Sequence, residues 1–149
     1  MRLNMDCVRD ILLCVEENTG LRKCCVFHDI SDFENDSREF LDGIRFAELR
    51  DYQKPLMDKY ENGELIYHIF YCIEAELIKQ ADCANTGGII IADLTVAGHE
   101  LIGNIREKDV WERLKSVFPK VGALGLSALS DVAHSLAVSL ALNVLHIQQ

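Results

Sequence analysis

The chain has 149 residues, enough for one domain around a single core. With 49% apolar and 26% charged residues it has the composition of an ordinary globular protein. A net charge of −9 works against sequence-independent nucleic-acid binding and favours protein partners. The first ten residues, MRLNMDCVRD, carry charges where a secretory signal needs an apolar run, so a cytoplasmic location is expected. The six cysteines, Cys7, Cys14, Cys24, Cys25, Cys72 and Cys83, are then expected to be reduced and structural.

Residues 5–18 read as a first helix with Val8, Ile11, Leu12 and Val15 on its buried stripe, and Gly20 as its stop. Residues 21–30 are strand-like. The acidic run from Asp29 to Glu39 reads as a solvated loop, and Ile44-Arg45-Phe46 as a short strand. Leu49 to Tyr60 reads as a helix whose first turn is restricted by Pro55.

The central stretch, 61–106, reads as a helix, a hairpin and the start of another helix. From Asn62 to Ile78 the helical period puts Ile66, Ile69, Phe70, Ile73 and Leu77 inside. It puts Glu64, Tyr67, His68, Tyr71, Glu74 and Ala75 outside. Asn85-Thr86-Gly87-Gly88 supplies a turn, and Ile89 to Leu94 a returning strand. Thr95 is placed to cap the next helix, with Gly98 just inside it. Further helices follow over Val96–Arg106 and Lys108–Phe118, the latter expected to stop at Pro119 and Gly122.

From Gly125 to Gln149 the one formal charge is Asp131, beside His134 and His146. Leu129, Val132, Leu136, Leu140, Val144 and Ile147 are the candidates for a subunit interface on this helix, and a homodimer is expected. Asp131, the serines and the lack of basic flanks speak against a membrane span.

Two blocks, with the opening Met5 to Leu12, carry a resemblance. One is Glu64-Leu65-Ile66-Tyr67-His68-Ile69 with Glu74-Ala75-Glu76-Leu77-Ile78. The other is Leu94-Thr95-Val96-Ala97-Gly98-His99-Glu100-Leu101 with Asn104-Ile105-Arg106 and Val110-Trp111. They resemble an uncharacterised bacterial and prophage family, domain of unknown function 2513, over most of the chain except 29–48. The resemblance implies a winged-helix fold and carries over no catalytic or binding residue. Position 76 departs from it: this kind of helix end often has Gly, and here it is Glu76.

The expected fold class is therefore α+β and mostly helical: a winged helix-turn-helix domain over 1–122 with an apolar helix over 123–149. Its reading helix would span 62–78, its wing 79–94 and its dimer element 125–147. The favoured function is a small DNA-binding regulator of phage or mobile-element origin, with Lys54, Lys59, Tyr67, His68, Tyr71 and Lys79 as the nucleic-acid contacts. The alternative is a protein-interaction module docking a basic partner. Over 61–78 the formal charges are Glu61, Glu64, Glu74 and Glu76, a sum of −4 with no Lys or Arg, which favours the alternative.

No nucleophile–base pair or complete metal set stands out, so neither enzymatic chemistry nor a cofactor is expected. His99-Glu100 lacks the second His of a metal helix, position 103 being Gly, and Cys24-Cys25 with His28 lacks a C-x-x-C spacing.

Overall fold

Asn4 starts the first helix, α1 (Met5–Asn18), by accepting through its side-chain oxygen from the backbone N–H groups of Asp6 and Cys7. The helix has the bounds its periodicity gives, and Val8, Ile11, Leu12 and Val15 are fully buried. Each such side chain contributes roughly 1.5–3 kcal/mol relative to exposure. The computed structural model describes residues 1–29, 50–81, 88–121 and 126–147, the side chains of 117–121, 126–127, 129–130 and 144–147 excepted. The expected loop over 29–39, the strand at 44–46 and the turn at 85–87 lie outside the described residues, Asp29 apart.

The elements that follow are β1 (Cys25–Phe27), α2 (Lys54–Met57), α3 (Asn62–Glu74), β2 (Ile78–Gln80), β3 (Ile89–Leu94), α4 (Val96–Ile105), α5 (Lys108–Val121) and α6 (Leu126–Ile147). The fold is α+β and mostly helical. The three strands form one antiparallel sheet in the order β1-β3-β2. Central β3 pairs Cys25 with Ile91 on one side and Ile78 with Leu94 on the other. The register slips between Lys79 and Gln80, a bulge that bends β2 at the sheet edge.

α1 packs against α3, α4 and β3, and its polar residues tie down what surrounds it. Arg9 donates to the carbonyls of Ile105 and Arg106, satisfying the otherwise open C-terminal end of α4. Its guanidinium stands 5.5 Å from the Trp111 ring centroid. Trp111 Nε1 donates to Asp6 Oδ1 at 2.9 Å, so α5 is fixed to α1 by both ends of one indole.

The structure corrects three expectations. α3 ends at Glu74, not 78, because Glu76 turns to φ +56°. The Leu77 N–H then reaches back to the Cys72 carbonyl and the Glu76 N–H to that of Ile73, a Schellman closure of the helix. α5 runs through Pro119 to Val121. Pro119 removes one i→i−4 bond of the last turn, where the helix is ending and few further bonds depend on it. Finally, Val132 and Leu136 are half-buried against the chain's own core, because α6 folds back onto α4 and α5. Ala133 is fully buried there, while Val138 and Leu142 on the second half are exposed. Leu140 is half-buried. The side chains of Leu129, Val144 and Ile147 lie outside the described residues.

One junction joins α3, the sheet and α4. Thr95 ends β3 and caps α4, accepting from the Gly98 N–H at 3.0 Å. Its own N–H donates to the Leu77 carbonyl at 2.9 Å, and its hydroxyl to the Glu76 carbonyl at 2.6 Å. α4 lies so close to this turn that a Cβ on residue 98 would stand 2.1 Å from the Leu77 carbonyl oxygen. Gly98 is therefore required by space, whatever its helix propensity. Gly98→Ala is expected to destabilise the fold by about 3 kcal/mol, lowering the melting temperature by about 10 °C. Glu76→Gly removes a left-handed side-chain penalty and is expected to stabilise by about 1 kcal/mol. Thermal unfolding of both variants checks the pair.

Candidate interaction surface

The outer face of α3 is built by the rotation of the helix about its axis. Leu65, Ile66, His68, Ile69 and Cys72 are buried, which leaves Tyr67 and Phe70 facing outward at 39% and 46% exposure. Tyr67 stacks on half-buried Tyr71 with ring centroids 6.3 Å apart. Glu74 is exposed one turn beyond Phe70 on the same face, Glu61 and Glu76 are exposed beyond the two ends of α3, and Glu64 is partly turned in, accepting from Asn4 Nδ2 at 2.8 Å. The surface is thus aromatic at its centre and acidic towards its ends.

Two residues sit opposite to expectation. His68, a candidate outward contact, is fully buried. Its Nε2 accepts from the Asn4 N–H at 2.8 Å, and its Nδ1 lies 2.7 Å from the Glu64 carbonyl. A neutral ring protonated on Nδ1 satisfies both, so His68 is a core residue joining α3 to the start of α1. Phe70, expected inside, is exposed in its place. The signal for this phase was available in the sequence: Leu65, Ile69 and Cys72 fall at i, i+4 and i+7 with His68 between them.

The lysines expected to meet phosphate are placed as follows. Lys54 Nζ lies 2.9 Å from Asp51 Oδ1, and this lysine holds the Asp51 carboxyl below its usual range. Lys59 Nζ lies 2.8 Å from Asp10 Oδ2, which also accepts from the Tyr60 hydroxyl at 3.0 Å. Lys79 is exposed on β2, opposite Asp93 in the register. Each lysine therefore sits with an acidic neighbour close by or across the strand. Of the six expected contacts, the structure brings together Tyr67 and Tyr71 and withdraws His68.

The core thiols divide: Cys7, Cys14 and Cys72 are raised, whereas its hydrogen bond with Cys14 lowers buried Cys25. Burial pushes Cys7 and Cys72 up to about 12. Cys14 is raised by its hydrogen bond to Cys25 and by burial. Cys24 is exposed. Among the described residues no three His, Cys, Asp or Glu side chains gather to hold a metal ion, and no helix is long and apolar enough to cross a membrane.

The raised thiols give the fold an alkaline signature. The unfolded chain releases these protons from about pH 9, whereas the folded chain keeps them to about pH 12. The stability that Cys7 and Cys72 contribute is thus fully present below about pH 9 and is lost as pH rises, at about 1.4 kcal/mol per pH unit for each of the two. Urea denaturation at pH 8, 9 and 10 under reducing conditions is expected to show this fall, with a shallower slope in Cys72→Ala.

A family model described as "Hypothetical protein (DUF2513)" matches residues 2–124. No curated protein and no solved structure matches the chain. The matched span runs from ahead of α1 to beyond the end of α5 and includes the α3 face and the Thr95–Gly98 junction, and on that match the chain belongs to the family of domain of unknown function 2513.

Proposed function

We propose that the chain is a winged-helix module that works by docking a protein with a basic surface on the outer face of α3. The winged-helix reading is supported by the order α1-β1-α2-α3-β2-β3 and by the sheet order β1-β3-β2, with the β2–β3 hairpin as wing. The observation that carries the docking reading is the exposure of Tyr67 and Phe70 on a helix whose exposed charges, Glu74 on the face and Glu61 and Glu76 beyond its ends, are all acidic. Duplex DNA draws most of its affinity from cations meeting phosphates, and this face has none. Exposed aromatics supply the apolar centre of a protein interface, and the carboxylates select a basic partner and speed its approach. No enzymatic step is assigned to the chain.

A second reading is a DNA-binding regulator of phage or mobile-element origin. It is favoured by the same element order and by exposed Lys79 on the wing strand. It requires Lys54 and Lys59 to exchange Asp51 and Asp10 for phosphate, which adds a competing attraction to each contact. In either reading a homodimer is supported by exposed Val138 and Leu142 on a helix half without formal charge.

The two readings separate on titration of the purified protein with random-sequence duplex DNA at about 50 mM and about 200 mM salt. The docking reading expects no saturable binding at the lower salt. Binding that weakens steeply between the two concentrations, and that Lys79→Glu abolishes, would instead support the DNA reading.

A further inference from the structure

The end of α3 opens into a groove that the outer-face reading does not use. It is lined by Ile73 of α3, by Glu76 and Leu77 just beyond that helix, by Val96 and Glu100 of α4 and by Asp131 of α6. The opening measures ≈ 670 Å³. A second groove, of ≈ 510 Å³, shares Glu100 and Asp131 with it and continues past Asn104 and His134. The two grooves are adjacent along α4 and α6, with Glu100 and Asp131 lining both.

Val96 is the feature that most needs an explanation. It is 73% exposed at the first position of α4, although it stands beside buried Leu77 and Leu94. Thr95 and Gly98 fix the backbone on both sides of it, so Val96 is held out on a rigid frame. An apolar side chain presented in this way, with three exposed carboxylates around it, matches a ligand that is apolar at one point and cationic beside it. Lys79 also lines the groove, and it leaves the lining with three negative charges against one positive.

We propose that this groove takes a short basic, amphipathic peptide segment of the partner protein. An apolar side chain would enter beside Val96, and Lys or Arg side chains would reach Glu76, Glu100 and Asp131. Charge complementarity selects this occupant: phosphate-bearing ligands meet the carboxylates as like charges, and the exposed half of α6 on a second copy brings no lysine or arginine between Leu126 and Ile147. A locked junction in the groove lining means that little ordering is lost on binding. The proposal rests on the protein-docking reading of the module and adds to it a second contact site and the chemistry of its ligand.

The test uses the full chain with isotope-labelled isoleucine and valine methyl groups and a synthetic peptide of alternating lysine and leucine. Methyl signals of Ile73 and Val96 are expected to shift on titration. The Glu100→Lys, Asp131→Lys double variant is expected to weaken binding about tenfold or more, and Glu74→Lys to change it by less than about twofold. A control peptide of lysine and serine is expected to bind about tenfold more weakly, having nothing to place against Val96.

Equal binding of the two peptides would overturn the groove and leave plain counter-charge attraction. Peptide binding that leaves Ile73 and Val96 unmoved, and that Glu74→Lys abolishes, would overturn the groove while the docking reading stands on the α3 face. Absence of peptide binding at low salt overturns the groove too. Paired with salt-sensitive DNA binding, it removes the docking reading as well.

Discussion

The carbonyl oxygen of Leu77 leaves no room for a side chain at residue 98. That steric limit fixes where α4 can lie relative to the end of α3, and much else follows from it. Thr95 reaches the same turn through its N–H and its hydroxyl, so β3, β2, α3 and α4 meet at one hydrogen-bonded point. α4 so placed lets Arg9 close its C-terminal end and puts α5 against Asp6 through Trp111. The Glu76 left-handed turn is the strained member of this arrangement, held because the surrounding bonds leave the chain no other path.

Local order was legible where one element's own residues determine it. The ends of α1 follow from its apolar stripe and from the polar residues flanking it. β3 and the Thr95 cap follow from a β-branched run stopped by a capping residue. Glu76 was visible as a departure at a position that favours Gly, and the structure gives the reason in its φ of +56°.

What was not legible depends on partners far away in the chain. The spacing of Leu65, Ile69 and Cys72 already gives the phase of α3, but the bond from the Asn4 N–H to His68 Nε2, 64 positions apart, which satisfies a polar ring inside that phase, could not be seen. A histidine that looks polar in sequence is therefore buried, and Phe70 is left outside. The pairing of Lys59 with Asp10 spans 49 positions and could not be seen, whereas that of Lys54 with Asp51, three residues apart, could have been. The return of α6 onto α4 and α5 is likewise a tertiary event, and it takes Val132 and Leu136 out of the expected interface stripe. These same long-range pairings shape the functional reading. They draw Lys59 to Asp10, hold His68 in the core and leave an aromatic, acidic face on α3.

The Leu77–Thr95–Gly98 junction holds the sheet, α3 and α4 together as one cooperative unit. Native-state hydrogen exchange at the Leu77, Thr95 and Gly98 amides tests it most directly. The account predicts that these three exchange only through global unfolding, with the same opening free energy as the Ile11 amide in the core of α1. Exchange at these amides through a lower-energy local opening, while Ile11 stays protected, would contradict it: the junction would then be a loose seam between separately stable parts.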